Sequence, residues 1–538
     1  MYWSQVRVLA GPPSIMIKIE NQYFLKAIYI LILFAFAVSL NQYYGFIGVF
    51  PIDTFLFYDT GYRVLNGLFP FKDYWSPTSP LIDFIQAGFF KLFGVSWFSY
   101  VLHASIFNFI LVFATFYTLE KLKLNIHLCL YYSLLLGVIA YPVSGVPFND
   151  HHSSILSIIG IFCFILSINT KLYIYWFLTP IFVGFAFICK QTPAAYIGIV
   201  IFICSIIYLI FNFNIKKILF LMLGSLIIII ISSLLIYINQ IPFLNFYEQY
   251  LLFPMSLGDT RIENFLFPLE FKRIFLRFKL IHLSQLVLII FIAKSILEDF
   301  NFIKKEDFSI LISLVLTSFA FIIHQLLTLN QIFIFFLIPI LLGFSHIYLF
   351  KNFESKKIYT YLLIFLGLIS TIYYKISYVD NRKFMELENI NLKKSIDASI
   401  INKKFSGLNW VTIFYPDNPE KEIFEIKNSI EIINNDKRNK LVATQYQFIA
   451  SLMDEMVYSV SRTYTPGISH PSKDSKLFIK YKNFFLGQIK KNKIQVIYTI
   501  KPYDSYIYES IIPDKCVKQE YLNEILKKHT LLECKELM

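Results

Sequence analysis

The sequence predicts a multi-pass α-helical membrane protein that carries a small C-terminal α/β domain, and three observations lead there. Hydrophobic residues fill 56% of 538 positions and the mean hydropathy is +0.58, more apolar surface than one soluble core can hide. Runs such as 218–238 and 308–327 hold no Asp, Glu, Lys or Arg, and each matches the roughly 20 residues a helix needs to cross a bilayer. After Tyr374 the composition turns abruptly to that of a soluble protein, which sets a boundary between a membrane domain, 1–374, and a tail, 375–538.

Apolar stretches predict about eleven transmembrane helices, near 24–40, 98–119, 127–142, 153–168, 172–189, 194–213, 218–238, 280–297, 308–327, 331–350 and 358–374. The first lacks a small-x-small cleavage site and reads as a retained anchor. Lys121 with Lys123, Lys171, Lys216 with Lys217, Lys304 with Lys305, and Lys351 with Lys356 and Lys357 occupy alternate connections. The positive-inside rule makes that side cytoplasmic. The connections 41–97, 143–152, 239–279 and 328–330 then face outward across an inner (plasma) membrane, and the tail is extracytoplasmic, periplasmic or extracellular.

A net charge of +13 would point a soluble protein toward nucleic acid. Here the basic flanks of membrane helices and anionic headgroups account for it, so membrane lipids are expected partners and nucleic acid is not. Cys129, Cys163, Cys189 and Cys204 lie in apolar runs without metal or redox spacing and read as core residues. Cys516 and Cys534 fall in the tail, where they pair if it faces an oxidising compartment.

Within the tail, strand-like 408–415, helical 420–434, strand-like 440–449, helical 474–490 and strand-like 494–500 alternate as in a sheet flanked by helices. No glycine-rich phosphate loop marks it as nucleotide-binding.

The first outward loop, 41–97, concentrates the chemistry. It reads Pro51-Ile-Asp53-Thr-Phe-Leu-Phe-Tyr58-Asp59, then Asp73-Tyr74-Trp75-Ser-Pro77-Thr-Ser-Pro80, and runs through a helical 80–93 into Gly94. An acid just past the first span, an aromatic-Asp-aromatic stretch, a Pro-rich turn and a Phe-Gly before the second span resemble the GT-C class of membrane glycosyltransferases. That class includes the protein O-mannosyltransferases, the aminoarabinose transferase of lipid A and the oligosaccharyltransferases. The resemblance is clear over 20–200 and holds in outline beyond.

What the resemblance implies is an inverting transfer of a hexosyl or pentosyl unit from a polyprenyl-phosphate-linked donor to a glycan, lipid or protein acceptor at the outer face. Asp53 matches the family's general base, since a carboxylate can take the acceptor's proton as the hydroxyl attacks the anomeric carbon. The same residue also reads as a helix cap or a solvated loop residue. Family members often place two acids side by side, whereas Thr54 follows Asp53 here. Asp59 is a second candidate, or a residue on an exposed helical face.

Asp150, between the third and fourth spans, matches another acidic position of the class, or caps the fourth helix with Asn149. No cofactor is implied with certainty; a divalent metal stays open, with His151 and Asp150 as its candidates, against ordinary interfacial histidines. Lys190 is placed to meet a lipid phosphate or to snorkel to headgroups. In the basic outward loop, Arg261, Arg273 and Arg277 read either as further phosphate ligands or as part of an interfacial helix. His324 reads as a paired core group. The geometry expected of a transferase is convergence of Asp53, Asp150, Lys190 and Arg261 on one outward cavity. A transporter, a polyprenyl-diphosphate-dependent polymerase or ligase, and a noncatalytic scaffold are the alternatives.

Overall fold

The computed structural model describes residues 13–258, 272–328, 334–352, 356–501 and 510–534. In chain order the first helices are α1 (Pro13–Gly45), α2 (Pro51–Thr54), α3 (Leu56–Leu65), α4 (Pro80–Phe93), α5 (Trp97–Lys121), α6 (Ile126–Ile139), α7 (Asn149–Thr170), α8 (Tyr173–Cys189), α9 (Gln191–Phe211) and α10 (Ile215–Ile238). Helices Lys279–Glu298, Glu306–Thr328, Leu337–Asn352 and Lys356–Tyr374 follow. Among the described residues nine helical segments are long and apolar enough to cross a membrane, and two shorter apolar helices, Tyr173–Cys189 and Leu337–Phe350, fill the remaining predicted positions.

The packing suits a lipid solvent. Helix α10 turns Leu219, Met222 and Ile229 outward, while polar side chains point inward and bond across helices, as backbone and side chains must where no water competes. Asn108 Nδ2 donates to Ala37 O (3.0 Å) and Gly137 O (3.1 Å), and Asn41 Nδ2 to Ser105 Oγ (2.9 Å), tying α1, α5 and α6 together. Lys26–Glu120 (2.5 Å) and Lys171–Glu306 (3.8 Å) gather helix ends on one side. The short helices α2 to α4 and the tail lie at the other ends of these helices.

A buried guanidinium fixes that opposite end. Arg382 donates from Nε to Ile47 O (2.9 Å), from Nη1 to Pro142 O (3.1 Å) and from Nη2 to Ser144 O (3.0 Å). One side chain thereby satisfies carbonyls of the chain leaving α1 and of the connection between α6 and α7, which would otherwise be buried unpaired.

In the tail, β1 (Ile396–Asp397) pairs antiparallel with β2 (Asn409–Trp410). A four-stranded sheet of order β3-β4-β6-β5 follows. Strand β3 (Lys440–Thr444) runs parallel to β4 (Val496–Ile500), with helix Phe478–Lys491 in the crossover. Strands β5 (Val517–Tyr521) and β6 (Leu526–Leu531) add an antiparallel hairpin that the sequence reading missed. Cys516 and Cys534 form a disulfide across this hairpin's flanks.

Several expected elements shorten for local reasons. The strand expected over 408–415 reduces to Asn409–Trp410, because Asn409 N donates to Phe46 O, and Asn409 O and Val411 O accept from Gly48 N and Val49 N (2.9–3.1 Å). Its backbone is spent on the chain leaving α1. The strand expected over 440–449 ends at Thr444, whose Oγ1 accepts from Tyr446 N (3.0 Å) and turns the chain. The helix expected from 474 starts at Phe478, and the fourth span begins at Asn149 rather than 153.

The tail is joined to residues 41–97 throughout. Trp75 N donates to Val460 O (2.7 Å) and Arg462 N to Trp75 O (2.9 Å), Phe55 stacks on Trp410 (5.7 Å between centroids), and Lys491 pairs with Asp73 (2.7 Å).

Candidate active site

Asp53 sits where the chain turns back after α1. Gly48 adopts φ +68, open to glycine at little cost, and Pro51 starts the single-turn α2 with a pre-set φ. Thr54 holds the turn: its Oγ1 accepts from Phe50 N (2.8 Å) and its carbonyl accepts from Tyr100 Oη (2.7 Å). The Asp53 carboxylate is half-buried and makes no hydrogen bond or ion pair among the described residues. Burial pushes its pKa up to about 7, the charges of Asp150 and Glu386 push the same way, and Lys190 opposes them.

Asp150 is the opposite kind of acid. It lies in the first turn of α7, where the helix favours negative charge, and both oxygens are engaged. Lys190 Nζ stands 2.5 Å from Oδ2, and His324 Nε2 stands 2.9 Å from Oδ1. It does not cap the helix: Phe148 is the N-cap and makes no side-chain capping hydrogen bond, and Asn149 Oδ1 accepts from Asp150 N (2.9 Å).

Lys190 occupies the corner between α8 and α9, extended at φ −162, ψ 135. Its carbonyl accepts from Ser153 Oγ (3.1 Å), and the next residue, Gln191, donates to Pro77 O (2.9 Å) and Tyr250 O (2.7 Å). The corner is thus braced by the fourth span, the first loop and the third. Beside it, an apolar cavity of about 320 Å³ opens between α4, α8, α10 and the 241–251 segment, lined by Phe84, Phe187, Ile188, Ile229, Phe246 and Tyr250 among others.

The other candidates lie elsewhere. Asp59, read as a second catalytic candidate or a residue on an exposed helical face, is buried and pairs with Nε of Arg63, one turn along α3 (2.6 Å). Arg261 lies outside the described residues, as does the side chain of Arg273. Arg277 is exposed and within electrostatic range of Tyr378. His151 sits among Tyr141, Phe148 and Phe384, at 4.9, 6.1 and 6.3 Å between ring centroids. Among the described residues no three His, Cys, Asp or Glu side chains are grouped to hold a metal ion, so the pairing of His151 with Asp150 does not extend to a ligand set.

Three features were missed. Glu386 enters the field of Asp53 from the end of the last span. A buried chain runs from Gln86 through His103 and His152 to Tyr141, with contacts of 2.9, 2.9 and 2.5 Å. His152 Nδ1 also stands 3.1 Å from Phe148 O, a carbonyl that can only accept, so the chain is anchored to the backbone at the start of α7. Asp83 and Arg462 form a buried pair between α4 and the tail. The single legible signal was Asp83 in the first turn after Pro80; its partner is too distant in sequence for any spacing rule.

No family model matches the sequence, and no curated protein matches it. Solved structures similar to this chain include the Archaeoglobus fulgidus oligosaccharyltransferase complexed with zinc and sulfate (TM-score 0.43, 12% identity, covering 88% of this chain and 68% of that one). Oligosaccharyltransferase AglB from the same organism, with an inhibitory peptide and a dolichol-phosphate, aligns at TM-score 0.40 and 11% identity over 90% of this chain and 71% of that one. ArnT from Cupriavidus metallidurans, bound to undecaprenyl phosphate, aligns at TM-score 0.46 and 8% identity over 93% of this chain and 97% of that one.

Proposed function

We propose that the protein is a membrane glycosyltransferase that moves a sugar from a polyprenyl-phosphate-linked donor to an acceptor at the outer face, with Asp53 as general base. The observation that carries this reading is the contrast between two neighbouring acids. Asp53 has free lone pairs and a proton affinity matched to neutral pH, as a base requires. Asp150 spends both oxygens holding Lys190 and His324.

In this reading the acceptor hydroxyl gives its proton to Asp53 as its oxygen forms the new bond to the anomeric carbon. The bond from that carbon to the lipid phosphate oxygen breaks with inversion, and the phosphate leaves with the electron pair. Lys190, oriented by Asp150, faces the charge developing on the phosphate. The apolar cavity beside Lys190 suits the donor's prenyl chain. Residues 1–374 then form the catalytic membrane unit, residues 375–538 act as an extracytoplasmic unit docked on the first loop, and the membrane is the inner (plasma) membrane.

The test is transfer of radiolabelled sugar from polyprenyl-phosphate donors in membranes carrying wild type, Asp53→Asn or Asp150→Asn at matched protein levels. Loss in the substituted forms supports the reading. Undiminished transfer by Asp53→Asn, with wild type active, overturns the assignment of the base. Absence of transfer by wild type with every common donor favours a transporter or scaffold.

A further inference from the structure

We propose that the cleft at the far end of α3 holds a sugar unit of the acceptor, which makes the acceptor a glycan chain; this rests on the transferase reading and specifies its substrate. The cleft, about 180 Å³, lies between α3 and the tail segment 450–457 and is lined by Tyr62, Arg63, Asn66, Asp454, Glu455 and Met456 among others.

Its floor is a built polar site. Arg63 is 6% exposed, and its Nε is committed to Asp59 (2.6 Å). Nη1 and Nη2 make no hydrogen bond among the described residues, although Arg63 lines both this cleft and a water-sized cavity behind it. Gln447 lines that rear cavity, is 5% exposed and leaves Oε1 without a partner among the described residues. Arg63 is the side chain shared by the two spaces, so its terminal nitrogens are the donors the cleft offers, while Gln447 Oε1 belongs to the rear cavity alone.

The chemistry around them selects a class of ligand. Asp59 already balances the Arg63 charge, and Asp454 and Glu455 stand on the rim, so an anion gains little here. An acyl or prenyl chain would strand the donors. A pyranose ring offers hydroxyls that both donate and accept, and an apolar face for the half-buried Tyr62 ring. The cleft is smaller than the roughly 300–1,000 Å³ of sites that enclose drug-sized ligands, which suits one sugar unit. Asp53 lies on α2, across the break at Phe55 from α3, and does not line the cleft, so the unit held here is not the one whose hydroxyl reacts.

The test uses the full-length protein in lipid nanodiscs, passed without donor over an array of neutral and acidic oligosaccharides of three to five units. Retention of a neutral oligosaccharide is expected. Tyr62→Ala, which removes the ring, and Met456→Trp, which fills the mouth from an exposed position, should each weaken it by about tenfold or more. No retention at millimolar sugar overturns the proposal, as does retention of acidic sugars alone or retention that Met456→Trp leaves unchanged. The parent reading fails separately: retention by wild type together with undiminished sugar transfer by Asp53→Asn would leave a glycan site without the assigned base.

Discussion

Asp83 accepts from both terminal nitrogens of Arg462 across 379 sequence positions, and the same carboxylate accepts from Thr60 Oγ1 (2.6 Å) and Tyr74 Oη (3.2 Å). Arg462 also reaches Ser76 Oγ at 3.0 and 3.1 Å, and both members of the pair are buried. This cluster, with the backbone bonds at Trp75, clamps the tail to the 41–97 loop and so to α3 and Asp53.

Breaking that clamp should be costly in a particular way. Arg462→Met leaves Asp83 buried and unpaired, and should destabilise the protein by about 3–5 kcal/mol. The double substitution Asp83→Leu with Arg462→Met should recover a large part of the loss. Thermal unfolding of the detergent-solubilised proteins, followed by intrinsic fluorescence at a fixed scan rate, checks both; equal losses in single and double variants would contradict the clamp.

The pH profile follows from Asp53. A base must be deprotonated, and this carboxyl is raised to about 7 by burial and by Asp150 and Glu386. The kcat/KM of sugar transfer should therefore rise with pH through about 7 and fall about tenfold per unit well below it. Glu386→Gln removes one repelling charge and should move the midpoint downward; initial rates between pH 5 and 9 would reveal an unmoved midpoint if Glu386 has no influence.

At Lys190 the ammonium itself is at issue. Lys190→Met should lower kcat by roughly 10²–10³, the range for loss of one donor aimed at developing charge, and Lys190→Arg should retain most of the rate. Single-turnover measurements separate this from donor binding, and a change confined to KM would instead assign Lys190 to ground-state binding.

Gly145 is held at φ +75, and a Cβ there would stand 2.7 Å from both Cα and N of Gly45. Gly145→Ala must therefore push the second outward loop off the end of α1, at more than the roughly 1–2 kcal/mol of left-handed strain alone. Gly67, at φ +80 with nothing within 4 Å of its Cβ position, is the control: Gly67→Ala should show only the strain. Comparable melting shifts for the two would argue against the close approach.

Alkylation of the denatured protein before and after reduction should show two thiols released by the reductant, from Cys516 and Cys534. Replacing both by Ser should cost about 3 kcal/mol, the scale for closing a loop of this length. Free thiols at both positions in protein taken directly from membranes would place the tail in a reducing compartment and reverse the sidedness proposed here.

Hydropathy in the sequence determined the membrane class and, among the described residues, nine helices able to cross a membrane and two shorter apolar ones, because crossing a bilayer imposes a length and an apolarity that each segment must satisfy alone. Asp53, Asp150 and Lys190 were legible as candidates because each sits beside a span, where polar groups stand out. The partners of these residues were decided only by tertiary structure. His324 meets Asp150 across 174 positions and Arg462 meets Asp83 across 379, and no local pattern records such pairs. Asp59 shows the difference plainly: the sequence left it a second catalytic candidate or a residue on an exposed helical face, and packing buries it in a pair with Arg63. A sequence states which side chains carry charge; packing decides which of them lose water, and with it which become committed and which remain free to react.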